Sequence, residues 1–116
     1  MVTFDEFAAM GLALPEAHVR ITWGTDHTLR VGEKMFAVGA PESTHVSVKA
    51  SKEDQAELLA ADPGTFSFAP YVGRFGWVRI ALESVDPGEL EELLAEAWRR
   101  TAPRRLVKAF DDARSD

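Results

Sequence analysis

The stretch HVRITWGTDHTLRVGEKMFAVG, residues 18–39, decides the fold, because apolar and polar side chains alternate through most of it. Val19, Ile21 and Trp23 alternate with His18, Arg20 and Thr22, and Leu29 and Val31 alternate with Thr28 and Arg30. A short turn at Gly32-Glu33-Lys34 leads into MFAVG, which reads as a third strand. Successive strand residues point to opposite faces, so period-two alternation broken by short turns predicts an antiparallel sheet that is wet on one face.

Working outward, HVSVK at 45–49 adds a fourth strand with Val46 and Val48 on its apolar side. FGWVRIAL at 75–82 adds a fifth, with Val78, Ile80 and Leu82 on one face and Trp77, Arg79 and Ala81 on the other. Helices flank these strands. Residues 3–13 carry a capping box, Thr3 with Glu6, and a stripe of Phe4, Phe7, Ala8 and Leu12. Residues 51–63 begin at Ser51 as N-cap and stop at Pro63. Residues 86–100 are the clearest helix: Asp86 caps it, Pro87 takes the first turn, and Leu90, Leu93, Leu94, Ala97 and Trp98 form the stripe. Pro103 starts a last short helix carrying Leu106, Val107 and Phe110, and residues 64–74 read as a loop. The expected architecture is a single α+β domain over 1–116, a two-layer sandwich with helices on one face of a mostly antiparallel five-stranded sheet.

Composition narrows the function classes. The chain has 116 residues and no cysteine, which removes disulfides, thiolate zinc sites and cysteine nucleophiles. No apolar run reaches membrane-spanning length and no signal pattern opens the chain, so a soluble cytoplasmic protein is expected. His18, His27 and His45 lack ligand spacing, even with Asp26, and no serine sits in a nucleophile elbow. No metal, cofactor or catalytic residue is therefore expected, and the chain reads as non-enzymatic. Gly73 and Gly76 are too close together for a phosphate loop and precede a strand. The acidic run Glu89, Glu91, Glu92 and Glu96 reads as a solvated helix face.

The formal charge of −6 argues against nucleic acid when taken alone. Its distribution argues otherwise. The segments 18–23, 28–31, 35–39, 45–49 and 75–82 contain no Asp or Glu. If Val19, Ile21, Leu29, Val31, Val46, Val48, Val78 and Ile80 face the helices, the other face collects Arg20, Arg30, Lys49 and Arg79, with His18, His45, Thr22, Ser47 and Trp77. A basic face with an exposed aromatic suits a surface that tracks a phosphate backbone and stacks bases.

The order of these features resembles the MmcQ/YjbR family of small bacterial proteins. The resemblance rests on Trp23-Gly24, LRVGEKMFA at 29–37, VSVK at 46–49, Pro70-Tyr71 followed by Gly76-Trp77-Val78, the leucine-rich helix at 89–98 and the closing RRLVKA. It implies a frataxin-like (CyaY-like) fold and DNA binding through two wing-like hairpins. On this chain the wings would be 29–36, with Arg30 and Lys34, and 71–79, with Arg74, Trp77 and Arg79. Ala97-Trp98 stands where the resemblance leads one to expect a Ser-Tyr pair. Frataxin-type iron binding has little to rest on, with only Asp5, Glu6 and Glu16 near the first helix.

The resulting expectation is a DNA-binding module using Arg20, Arg30, Lys34, Lys49, Arg74, Trp77 and Arg79. Four to six phosphate contacts would give a salt slope of about −4 to −5 on duplex. The alternative is a protein-interaction module using the same face without nucleic acid. The aromatic-rich 64–74 loop also leaves room for a small-molecule pocket beneath it.

Overall fold

The computed structural model describes residues 1–114. Its elements are α1 (Phe4–Leu12), β1 (Ala17–Thr22), β2 (Asp26–Val31), β3 (Lys34–Gly39), β4 (His45–Val48), α2 (Lys52–Ala61), β5 (Phe66–Phe68), β6 (Val78–Ala81), α3 (Pro87–Arg99) and α4 (Arg104–Arg114). The strands form one sheet in the order β1-β2-β3-β4-β6-β5, and every neighbouring pair is antiparallel. The α+β two-layer reading holds, with six strands rather than five. The additional strand is β5, inside the segment read as a loop. Three residues are too short to display a period, yet Phe66 pairs with Ile80 and is buried.

The inner face carries the core. Leu29, Val31, Val46, Val48, Val78 and Ile80 are buried beneath Phe7 of α1 and Leu90, Leu94, Ala97 and Trp98 of α3. Both helices start at side-chain caps: Thr3 and Glu6 form the reciprocal box, and Asp86 accepts from the Glu89 amide at 3.0 Å. Caps satisfy amide donors that would otherwise be orphaned at a helix start. Trp98 fills the seam between layers, donating Nε1–H to the Pro15 carbonyl at 3.0 Å and packing on Phe110 with ring centroids 4.9 Å apart. The Ala97-Trp98 departure thus supplies a core residue. Among the described residues, no helix is long and apolar enough to cross a membrane.

Two local features depart from simple alternation. Between Leu29 and Arg30 the β2–β3 register shifts, so that Leu29 faces Ala37 while Arg30 faces Met35. This bulge sends both Phe36 and Ala37 into the core and turns Met35 to the outer face. The edge strand β1 is the second. Val19 and Ile21 pair with Leu29 and His27 on the helix side, as the alternation requires. They remain 43% and 59% exposed, because the helical layer leaves them uncovered.

Candidate functional site

Pairing fixes what shares the outer face. Arg20 lies opposite Thr28, Thr28 opposite Val38, Val38 opposite Ser47, and Ser47 opposite Arg79, giving one row across five strands. At about 4.8 Å per strand, Arg20 and Arg79 stand roughly 19 Å apart. A second row holds His18, Arg30 and Met35, and His45 lies one step along from Ser47 on the same side.

This face is not open throughout. After β5 the chain climbs over it through Pro70, Tyr71 and Val72, then enters a 3₁₀ turn at Gly73–Phe75. Opposite this arch, the β1–β2 turn raises Trp23. Between them lies a groove of about 710 Å³, floored by Met35, Val38, Ser47 and Arg79 with His45 and Asp26 at its side. Its size is that of an ordinary small-ligand site.

The arch is anchored from below. Gln55 of α2 is buried and donates through Nε2 to the carbonyls of Gly73 at 2.8 Å and Trp77 at 2.7 Å. Gly76 makes the close approach possible. Its φ is +107°, and a Cβ there would lie 2.5 Å from the Ala50 carbonyl oxygen.

The two rim aromatics have unusual backbones. Trp23 has φ 49° and Tyr71 has φ 63°, in the left-handed region that costs a non-glycine residue about 1–2 kcal/mol. Both side chains are nevertheless thrown into solvent, Trp23 at 71% and Tyr71 at 94% exposure. Exposed aromatics held at strained positions add nothing to the core, and such strain clusters where ligands are gripped.

Arg79 is the polar centre of the groove. It is half-buried and, among the described residues, makes no hydrogen bond or ion pair. His45 lines the groove with it, its Nδ1 2.8 Å from the Thr44 hydroxyl. Burial, and secondarily the Arg79 charge, push the His45 imidazole below its ordinary range. The neutral imidazole leaves Arg79 as the cation and Asp26 as the acid lining the groove. A guanidinium without a partner, set among apolar walls, is a site for one carboxylate or phosphate.

The seven residues expected at the site therefore separate. Arg79 lies in the groove. Arg20 and Arg30 share its face nearer the β1 edge but are engaged: Arg20 pairs with Glu33 at 3.4 Å, and Arg30 donates to the Thr28 hydroxyl at 2.9 Å and the Glu33 carbonyl at 2.8 Å. Lys34 and Arg74 are exposed outside the groove, Arg74 stacking on the neighbouring Phe75 ring at 4.8 Å. Two placements differ from the sequence reading. Trp77 is 5% exposed and offers no stacking surface. Lys49, just past the end of β4, turns to the helix layer and donates to the Thr101 hydroxyl at 3.3 Å. There burial, then Lys34 and Arg100, lower its pKa. The face is also not free of acid, since β2 begins two residues earlier than expected and includes Asp26.

Trp23, Tyr71 and Asp26 were missed, and His45 and Ser47 were placed on the face without a role. The one signal for Trp23 was a bulky aromatic directly before a glycine in a hairpin turn, where packing does not require it. Among the described residues, no cluster of three or more His, Asp or Glu could hold a metal ion.

Comparison with known proteins agrees with this fold. The family model described as YjbR matches residues 12–100, and the chain belongs to the YjbR family. Uncharacterized protein Rv2570 of Mycobacterium tuberculosis and Uncharacterized protein Mb2600 of Mycobacterium bovis are each 30% identical over 128 residues, covering 95% of this chain and 96% of theirs. The crystal structure of Deinococcus radiodurans protein DR2400, with family-model domain DUF419, superposes with a TM-score of 0.79. It is 22% identical, with 86% of this chain and 78% of that chain covered, and it bears on the fold alone.

Proposed function

We propose that this YjbR-family chain is a binding module for single-stranded nucleic acid, seating an unpaired base between Trp23 and Tyr71 with its phosphate on Arg79. The observation that carries the reading is the half-buried, unpartnered Arg79 on the floor of a groove rimmed by two exposed aromatics. Base–aromatic stacking is worth about 1–3 kcal/mol per base, and an unpaired base can enter a groove that a stacked duplex cannot. A duplex-tracking face would need a run of free cations. Here Lys49 turns to the helix layer, and Asp26 places an acid on the same face.

The salt response separates the two modes. One or two phosphate contacts on a single strand give a slope of about −0.7 to −1.4, against −4 to −5 for a duplex held by the whole basic face. Anisotropy of a labelled oligonucleotide, single-stranded and annealed, measured across salt concentrations, makes the test. The single strand should bind more tightly and with the shallow slope. Preference for the duplex, or a steep slope, would overturn the reading.

A protein partner on the same face is the second reading. The groove's largely apolar lining favours it, since Val38, Met35 and Val72 suit an apolar side chain as well as a base. No binding of either oligonucleotide at low salt would move the assignment to that class.

A further inference from the structure

The sheet has two edges, and they are treated differently. β5 is three residues long, lies against α2 and is followed by Pro70, so it offers little to a pairing strand. β1 is six residues long and hydrogen-bonded to β2 alone. Four successive residues, His18 to Ile21, are exposed. Proteins usually blunt an exposed edge with a proline, a bulge or a very short strand. β1 has none of these, and its pairing with β2 is in unbroken register. One row of its backbone donors and acceptors is left facing outward.

The side chains flanking this edge are sorted. On the helix side Val19 and Ile21 form an exposed apolar stripe. On the outer side His18, Arg20 and the neighbouring Arg30 are basic, offset by Glu33 through one solvent-exposed ion pair and by Asp26 opposite Thr22 at the far end of the strand. Such exposed pairs hold little energy, so Arg20 is available to a better-placed carboxylate. Acid is concentrated in α1, α2 and α3, so this patch differs from them in sign within a net charge of −6.

We infer that β1 is an open docking edge that accepts an extended peptide segment of alternating acidic and apolar side chains as a further antiparallel strand. Backbone pairing supplies the affinity, and alternate side chains supply the selection. Acidic residues of the segment meet Arg20, Arg30 and His18 on one face; apolar residues cover Val19 and Ile21 on the other. A second copy of this chain is a poor occupant. Self-pairing centred on Val19 sets His18 against Arg20 of the copy on both sides and gathers the arginines of both chains on one face. This surface is separate from the groove and does not depend on the proposed nucleic-acid function.

The test uses the full chain and the synthetic peptide acetyl-EVEVEVE-amide, with acetyl-EEEEVVV-amide of equal composition as control. Titration followed by NMR should show amide shifts confined to His18–Thr22 and an affinity about tenfold above the control. Alternate amides of β1 should also exchange more slowly with solvent in the complex. Ile21→Lys, at an exposed position, should keep the parent's melting temperature and lose binding about tenfold, whereas Arg79→Glu should bind the peptide as the parent does. Equal affinity for the two peptides, no shifts in β1, or shifts retained in Ile21→Lys would overturn the inference. A dimer in sedimentation that Ile21→Lys converts to monomer would also overturn it, in favour of self-association.

Discussion

The two faces of this sheet are built from the same strands and carry opposite kinds of residue. Toward the helices, Leu29, Val46, Val48, Val78 and Ile80 are buried, and Trp98 closes the seam with its one polar atom satisfied. On the outer side, an unpartnered guanidinium, an imidazole with its pKa lowered and two strained aromatics stand around one groove. The inner face follows from the need to remove apolar surface from water. The outer face holds features that folding alone does not call for, and those are the ones to test as ligand contacts.

If that division is right, substitutions should affect stability or binding, and seldom both. The largest loss of stability is expected for Trp98→Ala, which empties the seam and orphans the Pro15 carbonyl; about 3–5 kcal/mol should be lost in urea denaturation. Gly76→Ala comes next. It forces a left-handed φ on alanine and drives a Cβ against the Ala50 carbonyl, at a cost of about 2–3 kcal/mol by the same measurement. The loss should exceed that of Gly24→Ala, where the φ is also positive but no atom lies within 4 Å.

Tyr71→Gly should show the reverse pattern. Relief of the left-handed strain offsets the added freedom of the unfolded chain, so stability should stay within about 1 kcal/mol of the parent. Oligonucleotide affinity should fall about tenfold, the worth of one stacking contact. A Tyr71→Gly protein that is clearly less stable would mean that the arch belongs with the core.

The smallest effect concerns His45. Its imidazole titrates lower in the folded chain than in the unfolded one, so the unfolded state takes up a proton first on acidification. The stability it contributes is present above about pH 6.5 and is lost as pH falls below that. The melting temperature of the parent relative to that of His45→Gln should therefore fall as pH is lowered from 7.5 to 5. An anion on Arg79 would remove part of the cause of the shift, so His45 should titrate higher with ligand bound. Proton titration by NMR with and without oligonucleotide checks this, and an unchanged His45 would separate it from the ligand.

Legibility followed the same division. The inner face could be read because burial imposes period two on strands and a stripe on helices, as with Val46, Val48, Leu90 and Leu94. Period two assigned no face in β3, where a local irregularity changes the phase: the bulge at Phe36 turns Met35 outward, and no residue there announces it. The outer face was read for its side but not for its surroundings. Alternation puts Trp77 away from the core, but it does not reveal that Gly76 brings it against the start of α2. Lys49 follows the strand pattern until the strand ends, after which its long stem reaches Thr101. Trp23 and Tyr71 depend on positive φ angles, which sequence marks plainly only when the residue is glycine. Arg79 was legible because its strand is regular on both sides.

The most direct measurement is made on one substitution with two readouts. Arg79→Glu should unfold in urea within about 0.5 kcal/mol of the parent, as expected for a half-buried side chain without partners. It should show no detectable binding to a single-stranded oligonucleotide that the parent binds under the same conditions. Undiminished affinity would remove Arg79, and with it the groove, from the account. A large loss of stability would show that the outer face supports the fold and that its division from the core does not hold.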